Sequence, residues 1–123
     1  MAGLIYLASP YSNPSEAVRL TRYFQALAFT TQKLKEGYAI FSPIVYGEQM
    51  AKHIGTDFES WATLNDRVLT ACDAFWVLTL PGWRQSRGVR HEINLWKDFQ
   101  PFRAIRFFNA DGQESFDESH RNY

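Results

Sequence analysis

The sequence predicts a small α/β fold: a Rossmann-like, flavodoxin-like three-layer sandwich around a mostly parallel sheet of four to five strands. Three observations carry this expectation. Short apolar runs alternate with longer stretches of helical periodicity. The strongest run, residues 74–80 (Ala-Phe-Trp-Val-Leu-Thr-Leu), lacks the polar–apolar alternation of a half-exposed strand. Both of its faces are therefore covered, as in a parallel sheet. Finally, 123 residues are the length of one domain, since a second would be too small to hold its own core.

Residues 3–8, Gly-Leu-Ile-Tyr-Leu-Ala, read as a buried first strand that ends at Ser9-Pro10-Tyr11-Ser12-Asn13-Pro14, a loop of turn-forming residues. Asn13 suits an N-cap, Pro14 the first helical position and Glu16 the third residue after the cap. They open a long helix with Ala17, Leu20, Phe24, Leu27, Thr31 and Leu34 as its buried stripe. Gly37 is placed to end it as the residue beyond the C-cap. Residues 38–41 form a second strand, closed by Ser42-Pro43. A short helix is expected around 46–53, broken by Gly55. Trp61, Leu64, Val68 and Leu69 suggest a helix from Trp61 to Ala71. After the strong strand, Pro81-Gly82-Trp83 turns the chain into a helix from Gly88 to Asp98, with Ile93 and Leu95 or Trp96 inward. Residues 103–108 look like a fourth strand, and the polar tail from Asn109 reads as loosely attached. The chain reads as one domain over 1–123, without repeats or linkers.

Composition narrows the function. Lys plus Arg and Asp plus Glu both number 13, so the net charge is zero, against the basic excess of a chain that grips a nucleic-acid polymer. A small phosphate-bearing ligand needs only a local site and stays open. One cysteine, Cys72, excludes an internal disulfide framework and a Cys-rich zinc site, and reads as a small buried hydrophobe. His53, His91 and His120 lack metal-ligand spacing, so no metal is expected. No apolar run approaches the roughly 20 residues that span a bilayer, and the N-terminus has no signal-peptide pattern. A cytoplasmic location and no membrane partner are expected.

In a parallel sheet with right-handed crossovers, the loops after the strands share one edge, and ligands bind there. That edge should carry Ser9 to Asn13, Ser42 to Tyr46 and Pro81 to Gly88. The first loop leads into a helix N-terminus, where free N–H groups and the dipole favour an anion. It is not a P-loop, lacking the Gly-rich run and the Lys; a plain capped turn is the simpler reading. In Ser86-Arg87-Gly88-Val89-Arg90-His91-Glu92, the glycine lets backbone approach a ligand. Glu92, about one turn into the helix, is expected to be held ionised by the dipole and to serve as a nucleophile. Read plainly, it is a surface carboxylate paired with Arg90 or Lys97. Asp66 and its neighbour Asn65 form a third candidate. Asp73 reads as closing the helix-to-strand turn. His91 is set aside as a proton donor working beside Glu92, because helix neighbours point about 100° apart. Tyr6, Tyr11, Trp61 and Trp83 could stack on a base; Tyr11 and Trp83, lying in loops, are favoured, and the rest read as core or rim aromatics.

Three segments stand in order: Tyr6-Leu7-Ala8-Ser9-Pro10-Tyr11-Ser12; Asp66 ahead of Cys72-Asp73-Ala74-Phe75-Trp76-Val77-Leu78; and Pro81-Gly82-Trp83 with Ser86-Arg87-Gly88-Val89 and Glu92. Their order and spacing resemble the nucleoside 2-deoxyribosyltransferase superfamily, most closely its small DUF1937 branch, over roughly residues 3–106. The resemblance implies a Rossmann-like fold and attack by a glutamate on the anomeric carbon of a deoxynucleoside or its 5′-monophosphate, without metal or organic cofactor. Glu92 matches the nucleophile and Tyr6 a tyrosine beside it. Asp66 approximates an aspartate that orients sugar or base, though its spacing to Asp73 is one residue short, so Asn65 is a rival. Ser9, Pro10, Tyr11, Asn13, Trp83, Ser86 and Gly88 fall at substrate-binding positions. Ser86 stands where nucleotide hydrolases of the superfamily carry a serine and nucleoside transferases an aspartate. With Arg87 and Arg90 near, that leans toward a 5′-phosphorylated substrate. The first loop, Ser-Pro-Tyr-Ser, departs from the Gly-rich, Arg-containing loop of those hydrolases. A homo-oligomer, dimer or tetramer, is also implied.

The expected activity is cleavage or transfer of an N-glycosidic bond through a covalent deoxyribosyl-enzyme, as in a retaining glycosidase. One alternative is a nucleotide-binding or sensor module that uses the same cleft without chemistry. Another is a subunit whose exposed Trp and Phe serve assembly.

Overall fold

A computed structural model describes residues 3–115. The order is β1 (Leu4–Ala8), α1 (Glu16–Lys35), β2 (Ala39–Phe41), α2 (Pro43–Gly47), α3 (Ala51–Ile54), α4 (Phe58–Thr70), β3 (Ala74–Leu78), a 3-10 turn (Trp83–Gln85), α5 (Arg87–Phe99), β4 (Arg106–Phe108) and β5 (Glu114–Ser115). The sheet runs β2-β1-β3-β4-β5, parallel except for β5, which pairs antiparallel with β4.

Topology explains the three layers. The chain leaves β1 for β2 on one side, then returns past β1 to reach β3. Right-handed crossovers moving in opposite directions put their helices on opposite faces. Alternation along the strands matches. Ile5, Leu7, Trp76 and Leu78 pack with Ala26 and Phe29 of α1. Tyr6, Ala8, Phe75 and Val77 pack with Leu69 of α4 and Val89, Ile93 and Trp96 of α5. The expectation that residues 74–80 are covered on both faces is met at Phe75, Trp76, Val77 and Leu78, all buried.

Several element details differ from the sequence reading. α1 starts at Glu16, and its N-cap is Ser15, whose hydroxyl accepts from the Val18 N–H. Asn13 instead accepts from the Ser15 N–H, forming a turn ahead of the helix. The stripe of Ala17, Leu20, Phe24, Leu27, Thr31 and Leu34 is not the packed face. Ala26, Phe29 and Thr30 are buried, while Leu20, Phe24 and Leu34 are exposed. The packed face also carries Arg19, Arg22 and Lys33, half-buried with Lys33 over the Phe29 and Trp76 rings, so a count of apolar residues favours the other stripe. The expected ending holds: Gly37, at φ 97°, donates to Leu34 O, and Tyr38 N donates to Lys33 O, a Schellman closure. α4 begins at Phe58, three residues before Trp61, because Asp57 caps it by accepting from the Ser60 N–H. Asp73 ties the sheet together: its carboxylate accepts from Leu4 N and its own N–H donates to Leu4 O, both at 2.8 Å. Residues 109–113 turn back so that β5 pairs with β4, where a loose tail was expected. His120 and the rest of the tail lie outside the described residues. No described helix is long and apolar enough to cross a membrane.

Candidate active site

The sheet order reverses direction between β1 and β3, and the crevice at such a point is where α/β sheets bind ligands. A cavity of about 460 Å³ opens there, a size suited to a small organic ligand. The β1 loop contributes Ser9, Tyr11 and Ser12; α2 contributes Pro43, Ile44 and Gly47. α4 supplies Phe58, Trp61, Asn65 and Asp66, and the start of α5 supplies Ser86, Gly88, His91 and Glu92.

Glu92 forms the floor. It is 7 % exposed, and its Oε2 accepts from the Tyr6 hydroxyl at 2.5 Å. Tyr6 is fully buried, stacked on Phe75 with ring centroids 5.9 Å apart, so the phenol is fixed in direction. The helix dipole was expected to keep Glu92 ionised; the structure reverses this. Glu92 lies past the first turn of α5, where the dipole has faded. Burial pushes its carboxyl up to about 8, against the Tyr6 bond that lowers it, and the charge of Asp66 raises it further. Tyr6 is itself held well above a normal phenol, first by burial and then by Glu92. Neither Arg90 nor Lys97 pairs with Glu92; Tyr6 is its hydrogen-bond partner.

Asp66 is held by His91, whose Nε2 lies 2.9 and 3.1 Å from its two carboxylate oxygens. The His91 ring stands edge-on to Phe58, with centroids 5.0 Å apart. His91 was set aside as a proton donor because helix neighbours point about 100° apart; its ring lines the cavity with Glu92 and reaches Asp66 across the α4–α5 interface, a contact between elements that helix geometry does not display. Asn65 also lines the cavity, and its Oδ1 is buried without a partner, as is Ser9 Oγ. Both candidates for the orienting role therefore reach the same wall.

Ser86 caps α5, accepting from Val89 N at 3.2 Å, which leaves its hydroxyl proton free at the cavity. Trp61 is fixed by a 2.7 Å bond from its indole N–H to Gly55 O. Its ring lies so close to Gly47 that a Cβ there would stand 3.0 Å from it. Arg22 draws two loops together, donating to the carbonyls of Tyr11, Ser12 and Pro81 at 3.3, 3.0 and 3.1 Å. Ser12 donates to Thr56 O at 2.8 Å and closes the rim.

Of the sequence candidates, Glu92, Asp66, Ser9, Tyr11, Ser86 and Gly88 line the cavity, and Tyr6 touches it through Glu92. Pro10, Asn13 and Trp83 do not. Trp83 is buried beside Phe107, because the 3-10 turn folds it under the sheet edge. Trp61, read as core or rim, is a cavity wall instead. Among the described residues no cluster of three or more His, Cys, Asp or Glu could hold a metal ion.

A comparison with protein-family models matches residues 3–102 to "Domain of unknown function (DUF1937)". The chain belongs to the DUF1937 family. Every residue lining the cavity, from Ser9 to Glu92, falls within the DUF1937 match. A search of the curated proteins finds no match.

Proposed function

We propose that this DUF1937 protein cleaves or transfers the N-glycosidic bond of a deoxynucleoside or its 5′-monophosphate, as its resemblance to the nucleoside 2-deoxyribosyltransferases implies. The observation that carries this reading is Glu92: a buried carboxylate on the floor of a nucleoside-sized cavity, aimed by Tyr6 at 2.5 Å. An ionised Glu92 forms a bond to C1′ while the C1′–N bond breaks. The base leaves with the bonding pair and takes up a proton. Water then opens the deoxyribosyl ester in a hydrolase, or a second base does so in a transferase; two displacements retain the anomeric configuration. Tyr6 donates to Oε2, which leaves the other oxygen to attack. Asp66, braced by His91, and Asn65 stand where the sugar or base would be oriented. Trp61 and Phe58 offer flat apolar walls for the base.

Incubation with a panel of deoxynucleosides and their 5′-monophosphates, followed by chromatography for free base, tests the proposal. Release by the native protein and its loss in Glu92→Gln support it; undiminished release from the variant removes the mechanism.

One observation favours a second reading. A carboxyl titrating near 8 is mostly protonated at neutral pH, and a neutral carboxyl suits ligand holding without chemistry. Calorimetric binding of the same compounds, with no base released at pH 9, would decide for a binding module.

The exposed apolar stripe of α1, with Leu20, Phe24 and Leu34, fits a homo-oligomer.

A further inference from the structure

The charge of the cavity wall bears on the class of ligand it takes. Five acidic residues line it: Glu48, Asp57, Glu59, Asp66 and Glu92. Among the described residues Arg87 is the one lining lysine or arginine, and it is engaged. Its Nη1 donates to Glu59 Oε1 at 2.6 Å, and its guanidinium lies over the Phe58 ring at 4.5 Å. Arg90 is exposed and does not reach the wall. Arg19 and Arg22, behind the first loop, donate to the main-chain carbonyls of Tyr11, Ser12, Asn13 and Pro81 and do not line the cavity either.

We propose that the cavity selects a deoxynucleoside with a free 5′-hydroxyl over its 5′-monophosphate, and that Glu59 sets this selectivity by occupying Arg87. The inference rests on the glycosyl-transfer reading above, which puts C1′ at Glu92. Only four bonds separate C1′ from O5′, so a 5′-phosphate stays beside the same wall. It brings a charge near −2 to within a Debye length, about 8–10 Å, of described acidic side chains that outnumber the Arg87 guanidinium. The opposing attraction is small. The start of α5 offers the equivalent of about half a positive charge, and Ser86, whose oxygen accepts from the Val89 N–H, adds one neutral O–H donor that serves a hydroxyl as well as a phosphate. A hydroxyl meets the same wall favourably, because it donates to a carboxylate or accepts from Ser86.

The test compares kcat/KM for base release from matched deoxynucleosides and 5′-monophosphates. Affinities are measured in parallel by calorimetry on Glu92→Gln, which blocks turnover. The nucleoside is expected to lead by at least about tenfold at low salt, with the gap narrowing as ionic strength rises. Glu59→Gln, an exposed position, is expected to raise the monophosphate-to-nucleoside ratio at least about threefold by freeing Arg87. A monophosphate used or bound as well as the nucleoside overturns this inference and leaves the glycosyl-transfer reading standing. An unchanged ratio in Glu59→Gln overturns the role of Glu59. Neither release nor binding of either class overturns both proposals.

Discussion

At the scale of single residues, Glu92 ties activity to stability. Its folded carboxyl titrates near 8, whereas an unperturbed glutamate titrates near 4.5. Between these pH values the unfolded chain has lost a proton that the folded chain keeps. Stability therefore falls as pH rises through this window and levels off above about 8. Each tenfold change in proton affinity is worth about 1.4 kcal/mol, so the loss is on the order of a few kcal/mol. Glu92→Gln should flatten this slope, as read from urea unfolding at pH 5 and pH 8. Activity should move the opposite way. The nucleophile is the ionised form, so kcat/KM for base release should climb with pH and level off above about 8. Tyr6→Phe removes the one hydrogen bond that favours the ionised carboxylate. It should lower kcat/KM roughly 10- to 100-fold, the worth of a bond to a charged group, and move the rising limb to higher pH. A Tyr6→Phe profile superimposable on the native one would deny Tyr6 its part.

At the scale of elements, loops and helix ends set the site. Ser86 both caps α5 and faces the cavity. Ser86→Ala should cost about 1 kcal/mol of stability by losing the cap, measurable by denaturant unfolding. Arg22 reaches from α1 to three carbonyls on the β1 and β3 loops. Arg22→Ala leaves all three without that donor. It should raise KM severalfold and speed amide exchange in residues 9–13 and 80–83; exchange unchanged there would deny the staple. How far these elements are legible in sequence depends on the kind of signal each carries. Gly37 ends α1 as expected because only a residue free of Cβ accepts its φ of 97° cheaply. The start of α1 misleads because Asn13 and Ser15 are both good caps and Pro14 fits either side of the choice. The buried stripe misleads because the face that the sheet covers combines Ala26 and Phe29 with the basic side chains of Arg19, Arg22 and Lys33, which an apolar count passes over.

At the scale of the whole molecule, the uncovered face of α1 makes its own prediction. If Leu20, Phe24 and Leu34 join copies of the chain, Phe24→Glu should shift sedimentation toward the monomer while leaving the fold's circular dichroism intact. A native chain that sediments as a monomer at every concentration would deny the interface. The cavity is also a whole-molecule property. Its walls come from the β1 loop, α2, Ala51 of α3, Thr56 and Asp57, α4, the 3-10 turn and α5, segments that meet only because the crossover direction reverses between β1 and β3.

The α/β class, the parallel core and the edge that bears the site follow from the sequence alone. They depend on signals spaced within one element: unbroken apolar strands, turn residues after them, and a helix expected from Gly88. The ionisation of Glu92, the pairing of His91 with Asp66, the engagement of Arg87 by Glu59 and the burial of Trp83 wait for tertiary structure. Each depends on how completely distant segments exclude water from a group, or on which side chain across an interface reaches it. Desolvation and contact between elements are set by packing in three dimensions, and no spacing along the chain encodes them directly.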